Sequence, residues 1–242
     1  MSLAGLRSAG IAVVLLDVEG TTTPIAFVHQ VLFPYARARV RDWFAARPAS
    51  DPDVREVVDG FQRELEAAGD RPRWLLEAGG GNLVDHVFAL MDADRKSPAL
   101  KTLQGKIWEE GYQSGALSGE VYADVPGALE RWTSAGLQAG IYSSGSVLAQ
   151  KLLFSHSNAG DLTRFLRWHF DTAVGPKTDP ASYHRIVERL GVRQGQVLFI
   201  SDVVVEIDAA RVAGLQTILC ARDTQPPPGV HLLIRTFDEV PA

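Results

Sequence analysis

The sequence predicts an α/β protein: a doubly wound, mostly parallel, Rossmann-like sheet with an all-helical domain inserted after its first strand. Continuous apolar runs rich in β-branched residues are typical of strands buried on both faces. They lie at residues 11–16, 137–142, 197–200 and 215–219, with a weaker run at 230–234. Helical patterns separate the later runs, and alternating strands and helices form right-handed βαβ units around a parallel sheet.

Two of the helices between these strands have recognisable ends. The Val-Pro-Gly step at residues 125–127 leads into a helix that we expect to end near Gly136. Asp179 is predicted to cap the next helix, with Pro180 at its first position and Gly191 just past its end. Aspartate is a common N-cap, proline suits the first helical position, and glycine suits the C-terminal end.

A long stretch of about residues 26–122 has helical periodicity and no strand pattern. Apolar residues recur there at the spacing of one helix face. They are Val54, Val57, Val58, Phe61 and Leu65 in one segment, and Leu100, Leu103, Ile107 and Trp108 in another. The stretch is too long for a simple loop. We therefore predict an α/β core of residues 1–25 and 123–242, with a helical domain of residues 26–122 inserted in it.

Composition narrows the class of protein. The 242 residues include 24 Lys and Arg and 29 Asp and Glu, interleaved, for a net charge of −5. This balance argues against nucleic acid or an anionic membrane as the partner. No apolar run approaches the ~20 residues that span a bilayer, and residues 1–10 lack the apolar region of a signal peptide. Cys220, the single cysteine, excludes an intramolecular disulfide. Composition therefore favours a cytoplasmic protein. We further expect a monomer, and a small-molecule substrate is favoured by the polar residues at the strand ends.

Two acids, Asp17 and Glu19, directly follow the first predicted strand. Ligands of an open parallel sheet bind beyond the carboxyl ends of its strands, so both acids are well placed for chemistry. Gly20 permits a tight turn, and residues 21–23 offer threonine hydroxyls and backbone amides to an anion. The ordinary alternative is a strand end that is capped by polar turn residues.

Ser143 and Ser144 end the second predicted strand and open a helix. A helix N-terminus presents unpaired amides and the positive end of a dipole, which favours phosphate binding. The simpler alternative is a serine that caps the helix.

Two further charged residues stand at comparable positions. Lys177 precedes the helix start at Asp179, where an ammonium group can balance a phosphate and a carboxylate, although most loop lysines are only solvated. Asp202 follows the 197–200 strand and, with Asp17, offers hard oxygen ligands to Mg²⁺. All of these side chains stand beside a strand end or helix start on one rim of the sheet. That arrangement favours phosphoryl transfer, in which positioning and charge neutralisation dominate.

The order of these elements resembles the four motifs of the haloacid dehalogenase superfamily. Within it, the chain is similar to the acireductone-forming enolase-phosphatases of methionine salvage. The motifs that carry this likeness are Asp17-Val-Glu-Gly-Thr-Thr-Thr-Pro-Ile25, Phe33-Pro-Tyr35, Leu103-Gln-Gly-Lys-Ile-Trp108, Ile141-Tyr-Ser-Ser-Gly-Ser146, His169-Phe-Asp171 and Ser201-Asp-Val-Val204. They cover nearly the whole chain, and the glutamate at position 19 is informative because many superfamily phosphatases carry aspartate there.

The resemblance implies a haloacid dehalogenase core with a helical cap and assigns roles to matching residues. Asp17 is the nucleophile that forms an aspartyl-phosphate. Glu19 is the general acid and base, and its backbone carbonyl binds the metal. Asp202 completes the site for one Mg²⁺ per subunit.

The same resemblance implies that Ser143 and Ser144 hold the transferring phosphate, while Lys177 neutralises nucleophile and phosphate. The family's substrate is 2,3-diketo-5-methylthiopentyl-1-phosphate. It is enolised and then dephosphorylated to 1,2-dihydroxy-3-keto-5-methylthiopentene.

The chain departs from the family after Asp202, because Val205 stands where an acid is common. Glu206 is then the acid predicted to orient Asp202 or a metal-bound water. The base for enolisation stays open between Glu19 and three helical-domain residues, His86, Asp92 and Asp94.

Two other functions fit part of the pattern. One is a different enzyme on the same fold, either a metal-independent dehalogenase or a sugar-phosphate phosphatase. The other is a non-catalytic phosphate-binding module. The retained Asp17, Lys177 and Asp202 argue against the non-catalytic module.

Overall fold

The computed structural model describes residues 5–69, 81–95, 97–222 and 231–242. The chain divides into two compact units. One is an α/β unit, Met1–Phe27 with Ser118–Ala242, and the other is the helical segment Val28–Leu117. Val230, at the start of the weakest predicted strand, lies outside the described residues.

The α/β unit is built on a six-stranded sheet whose neighbouring strands are all parallel. Its strands are β1 (Val13–Leu16), β2 (Gln138–Tyr142), β3 (Leu166–Phe170), β4 (Val197–Ser201), β5 (Gln216–Cys220) and β6 (Leu233–Ile234). Their order is β3-β2-β1-β4-β5-β6, the order of a doubly wound Rossmann fold. The chain winds outward in opposite directions from β1 and β4, so a ligand crevice is expected at their carboxyl ends. The predicted fold class is confirmed.

Strand β3 was not predicted from its sequence. It occupies one edge of the sheet, where only its first and last residues are buried. Arg167 is exposed, and Trp168 and His169 are partly exposed. Since edge strands need no continuous apolar run, the hydrophobic pattern that revealed the central strands was absent here.

The helices follow in chain order. They are α1 (Ile25–Phe27), α2 (Phe33–Ala45), α3 (Pro52–Ala67), α4 (Gly81–Asp92), α5 (Pro98–Gln113), α6 (Val125–Ser134), α7 (Val147–Ser155), α8 (Pro180–Leu190) and α9 (Val204–Val212). A π-helical turn, Val28–Leu32, lies between α1 and α2. Short 3-10 turns occur at Thr163–Phe165, Thr172–Val174, Gln194–Gln196 and Phe237–Glu239.

The predicted ends of α8 are confirmed. The Asp179 side chain accepts a hydrogen bond of 2.9 Å from the amide of Ala181, and Pro180 opens the helix. Gly191 closes it in the left-handed conformation, with φ of 67°, which costs glycine little because it has no Cβ. Helix α6 ends at Ser134, two residues before Gly136.

The core of the α/β unit forms around strands that are buried on both faces. All residues of β1 and β4 are buried, which explains their continuous apolar sequence. Phe199 packs edge-on against Tyr183 of α8 at 5.3 Å between ring centroids, and Tyr183 meets Tyr142 in the same manner at 5.5 Å. These aromatic contacts join the sheet to α8.

Cys220 is buried at the end of β5 and is free. Burial raises the pKa of its thiol to about 11, so the group stays protonated and behaves as a small apolar residue.

The helical unit buries the two faces predicted from periodicity. Val54, Val57 and Phe61 of α3 are buried, while Val58 and Leu65 are half-buried. On α5, Leu100, Leu103, Ile107 and Trp108 are all buried. Asp51 and Ser97 cap these helices through hydrogen bonds to backbone amides. Of the helices that the structure describes, none has the length and hydrophobicity that a membrane-spanning segment requires.

Replacing Phe199, which is fully buried, with Ala should lower the free energy of unfolding by about 3–5 kcal/mol, because the cavity removes contacts with Tyr183 and Tyr142. Urea denaturation followed by circular dichroism measures the loss. The control is Val212→Ala, since Val212 is 74% exposed; it should change stability by no more than about 0.5 kcal/mol. A Phe199→Ala loss equal to the control would show that this aromatic contact is not tightly packed.

Candidate active site

The central strands end at the same edge of the sheet. Leu16, the last residue of β1, pairs with Ile141 of β2 and Ile200 of β4. The amide of Asp17 continues the ladder by donating to the carbonyl of Ile200 at 2.9 Å. The polar residues that follow these three strands therefore emerge side by side, as the sequence predicted.

The Asp17 carboxylate is buried and held by donors on both oxygens. Its Oδ1 accepts from the amide of Val18 at 2.7 Å and lies 2.6 Å from Nζ of Lys177. Its Oδ2 lies 3.0 Å from Oγ of Ser201. These contacts satisfy a buried negative charge and fix the orientation of the carboxylate.

Lys177 is also buried, at 6% exposure. Besides Asp17, its Nζ contacts Oε2 of Glu206 at 2.5 Å. Burial alone would lower the pKa of Lys177, but the two carboxylates outweigh this effect and raise it. The hydroxyl of Tyr183 donates to the carbonyl of Lys177 at 2.7 Å, which anchors the backbone of this loop to α8. The two carboxylates thus favour the charged form of Lys177 inside the site.

Among the described residues, Glu206 does not contact Asp202 as one of its two predicted roles required; the other role, orienting a metal-bound water, stays a prediction. Glu206 contacts Lys177 and Ser201, the latter at 3.0 Å. Its position in the first turn of α9 directs it back to the end of β4. Asp208 points elsewhere and pairs with Arg211 at 3.2 Å.

Ser201 is a site residue that the sequence reading missed. Its hydroxyl lies between Asp17 and Glu206, at 3.0 Å from each carboxylate, and accepts from the amide of Val203 at 3.2 Å. It is fully buried at the last position of β4. A polar residue that ends an apolar strand beside an acid is the signal that could have identified it.

Asp202 follows Ser201 and is half-buried. Its Oδ1 is buried and has no hydrogen-bond partner within the described residues. Desolvation, together with the negative charge of Asp17, raises the pKa of Asp202 to about 6. Gly20 approaches this carboxylate so closely that an added Cβ would collide with it. Asp202 is therefore a partly desolvated acid held close to the β1 turn.

The turn after β1 uses its amides differently from the prediction. The amides of residues 21–23 all donate to the carbonyl of Val18, at 3.2, 3.0 and 2.9 Å, so they are not available to an anion. The hydroxyl of Thr22 donates to backbone carbonyls. Those of Thr21 and Thr23 are buried without a hydrogen-bond partner in the described part of the chain. Glu19 is half-buried in this turn and forms a β-bridge with Thr23.

Ser143 and Ser144 lie in a short loop between β2 and α7. The cap of α7 is Ser146, whose hydroxyl accepts from the amide of Ala149 at 3.2 Å, so helix capping does not explain the two earlier serines. Ser143 is buried, and its Oγ accepts from the amide of Gly145 at 3.1 Å. Ser144 is half-buried.

The side chain of Gln150 anchors this loop. Its side-chain amide donates to the carbonyl of Gly145 at 3.0 Å and to that of Phe170 at 2.8 Å. The loop that carries the two serines is therefore tied to β3 as well as to α7.

The helical-unit candidates for the enolising base have local partners. His86 packs edge-on against Phe61 at 5.7 Å, and Asp92 pairs with Arg37 at 2.9 Å. Asp94 lies in a turn with φ of 46°. The edge-on contact with Phe61 indicates a packing role for His86.

The charge balance at the strand ends fits a hard divalent cation. Lys177 faces two carboxylates, and Asp202 adds a third acid whose buried oxygen is unpaired within the described residues. In that part of the chain, no three His, Cys, Asp or Glu side chains are grouped to hold a metal by themselves. Mg²⁺ commonly takes only one or two carboxylates and completes its shell with water and substrate phosphate. The donors present fit that pattern.

Comparison with known proteins gives a consistent result. A family described as haloacid dehalogenase-like hydrolase matches residues 11–214. Enolase-phosphatase E1 of Synechococcus elongatus is 49% identical over 234 residues, covering 95% of this chain and 98% of that protein. Enolase-phosphatase E1 of Klebsiella pneumoniae is 44% identical over 230 residues, covering 95% and 96%.

Solved structures show the same fold. The UTR4 protein of Saccharomyces cerevisiae superposes with a TM-score of 0.79 at 33% identity, covering 94% of this chain and 99% of that one. CbbY of Rhodobacter sphaeroides, solved with phosphate, gives a TM-score of 0.57 at 18% identity, covering 95% and 96%. The second likeness concerns the fold alone.

Lys177→Met should lower the free energy of unfolding at neutral pH by about 3–5 kcal/mol, because it leaves the buried Asp17 and Glu206 without their cation. Lys106→Met is a matched control: Lys106 also contacts two acids, Asp53 at 2.6 Å and Glu56 at 2.7 Å, but both acids are more than half exposed. That change should cost no more than about 1 kcal/mol. Equal losses for the two variants in urea denaturation would contradict the electrostatic account of the site.

Proposed function

Since the chain belongs to the haloacid dehalogenase-like hydrolases and, among them, to the enolase-phosphatases, we propose that it dephosphorylates its substrate through Asp17. The family resemblance seen in the sequence motifs is confirmed. The chain is a hydrolase of phosphate esters, with the enolase-phosphatase activity of methionine salvage. Its proposed substrate is 2,3-diketo-5-methylthiopentyl-1-phosphate, and its products are 1,2-dihydroxy-3-keto-5-methylthiopentene and phosphate.

The contact of 2.6 Å between Lys177 and Asp17 is the observation that carries the proposal. A nucleophilic carboxylate must stay ionised and must still accept a negatively charged phosphate beside it. Lys177 meets both needs, because its charge stabilises the anion and reduces repulsion of the substrate. Ser201 and the amide of Val18 hold the carboxylate in one orientation, which supports the same role.

In the proposed reaction, an oxygen of Asp17 attacks phosphorus while the bond from phosphorus to the substrate's C1 oxygen breaks. Glu19 donates a proton to that departing oxygen. An aspartyl-phosphate results. Glu19 then removes a proton from water, the water oxygen attacks phosphorus, and phosphate leaves as Asp17 is regenerated.

Ser143 and Ser144 are proposed to hold the phosphate oxygens during this transfer. Their loop precedes the N-terminus of α7, whose positive dipole end favours an anion. The support is that Ser146 caps the helix and that Gln150 fixes the loop. Lys177 contributes its charge to the same phosphate.

One Mg²⁺ is proposed to bind the carboxylates of Asp17 and Asp202 and the backbone carbonyl of Glu19. Bound there, the cation would offset negative charge on the phosphate and polarise a substrate oxygen. The unpaired buried oxygen of Asp202 supports this assignment. The described residues proposed for phosphoryl transfer and metal binding all lie in the α/β unit of one chain, which supports our proposal of a monomer.

Residues 26–122 are proposed to serve as the cap that selects the substrate. Proton removal beside the substrate's ketone needs a base within reach of the carbon. Glu19 is the candidate on the α/β unit. His86, Asp92 and Asp94 are the alternatives on the helical unit.

Asp17→Asn should abolish phosphate release from the diketo-phosphate in the presence of Mg²⁺, because an amide oxygen is a poor nucleophile. Circular dichroism should show an unchanged fold. Wild-type enzyme should show enol absorbance before phosphate appears, and Asp208→Asn, remote from the nucleophile, should behave like wild type. Phosphate release near the wild-type rate by Asp17→Asn, in a sample free of contaminating phosphatase, would remove Asp17 from this role.

The affinity for Mg²⁺ should fall as the pH drops through about 6, the raised pKa of Asp202. Below that pH the proton competes with the cation for the carboxylate, and the loss approaches about tenfold per pH unit. Calorimetric titration of the substrate-free protein on both sides of that pH measures the effect. Asp202→Asn should bind Mg²⁺ weakly at every pH. If the Mg²⁺ affinity of the wild-type protein did not change with pH, Asp202 would be excluded as a ligand.

A further inference from the structure

A buried arginine, Arg222, lies just beyond the end of β5 and reaches the turn after β1. Its Nε and Nη2 both donate to the carbonyl oxygen of Thr21, at 3.0 and 2.8 Å. The side chain is only 6% exposed. A charged group that is largely removed from water, with two donors on one backbone oxygen, makes an unusually firm link between distant parts of the chain.

The guanidinium group is held in place by several contacts. Its Nη1 donates to Oδ2 of Asp124 at 2.6 Å, and that carboxylate is 9% exposed. Asp124 also accepts from the amide of Phe237 at 2.5 Å. The guanidinium carbon lies 4.3 Å from the ring centre of Tyr122 and 4.7 Å from that of Phe237. These contacts hold the guanidinium group in place independently of its hydrogen bonds to Thr21.

The turn that Arg222 holds carries the proposed acid and base. Glu19 lies two residues before Thr21. Between them, Gly20 adopts φ of 72° and lies against the Asp202 carboxylate. On the inner side of the turn, the amides of residues 21–23 donate hydrogen bonds to the carbonyl of Val18. Arg222 supplies the contact on the Thr21 carbonyl, so the turn is constrained at several points.

We propose that Arg222 is a positioning residue for the reaction: it fixes the Thr21 carbonyl and thereby holds Glu19 where it can protonate the departing oxygen. It contacts neither the nucleophile nor Lys177 within the described residues, so it acts only through the turn. This inference rests on the proposed function of Glu19.

A positioning role and a purely structural role predict different effects on the reaction. A positioning residue affects the step that uses Glu19, which is protonation of the leaving group, whereas a structural residue affects all substrates alike. Protonation matters when the leaving group is an alkoxide, as in the diketo-phosphate. It matters little for p-nitrophenyl phosphate, because p-nitrophenolate leaves without a proton. Since kcat/KM reports the barrier from free enzyme to phosphoryl transfer, a misplaced Glu19 should lower it for the first substrate and spare the second.

The test compares Arg222→Met and Arg222→Lys with wild type on both substrates at saturating Mg²⁺. For Arg222→Met, kcat/KM on the diketo-phosphate should fall by about 10- to 100-fold, the usual effect of misplacing a catalytic group, while that on p-nitrophenyl phosphate should stay within about threefold. Arg222→Lys keeps a cation beside Asp124 but cannot make the two-pronged contact with Thr21. It should show the same selective loss, and it decides the matter if Arg222→Met does not fold.

Two further variants make the outcome specific. Arg131 donates to the carbonyl of Phe237 at 2.9 Å, so Arg131→Met disturbs the same C-terminal segment without touching the turn; it should keep the wild-type ratio between substrates. Glu19→Gln should show the selective loss directly. If Glu19→Gln lowers kcat/KM equally for both substrates, the proposed role of Glu19 fails. A different outcome overturns only the positioning role of Arg222. In that outcome, Glu19→Gln lowers kcat/KM selectively for the diketo-phosphate, whereas both Arg222 variants lower kcat/KM equally for the two substrates or change it for neither. The proposed function then stands.

Discussion

The buried contact of Lys177 with Asp17 and Glu206 is the constraint on which the α/β site depends. Removing charged groups from water costs several kcal/mol per ion unless their geometry and hydrogen bonding are nearly complete. Here Ser201 and the amide of Val18 hydrogen-bond to the carboxylates, and the hydroxyl of Tyr183 anchors the backbone carbonyl of Lys177. These groups come from β4, the end of β1 and α8, so the ion cluster can form only if those elements are correctly packed. Folding of the core and assembly of the site are for this reason one process.

The sheet supplies the alignment that the ion cluster needs. Strand β1 lies between β2 and β4, and its parallel register brings the ends of all three strands to one level. A one-residue shift would turn every side chain to the opposite face of the sheet. Because β1 and β4 are buried on both faces, hydrophobic burial opposes such a shift less than it would in a strand with one polar face. Alignment at the strand ends must then come from the polar contacts themselves as much as from the hydrophobic core.

The sequence was sufficient for those features that depend on local pattern. Buried central strands, the ends of α8 and the apolar faces of α3 and α5 all follow from hydrophobic periodicity or capping chemistry. Strand β3 was not predicted because an edge strand needs no continuous apolar run. The partner of Glu206 and the role of Ser201 were missed because they depend on how the first turn of α9 meets the end of β4. Arg222 was missed for a similar reason, since its partners Thr21 and Asp124 are brought together only by the folded sheet.

The electrostatics of the site set two opposing requirements. The proposed nucleophile, Asp17, must be an anion, yet the phosphate ester that approaches it is also an anion. Lys177 offsets one negative charge only, and burial, followed by the charge of Asp17, raises the pKa of Asp202 to about 6. A divalent cation beside Asp202 would both stabilise the ionised form of Asp202 and attract the phosphate. Because such coupling is reciprocal, bound phosphate ester must strengthen cation binding by the same factor as the cation strengthens binding of the ester.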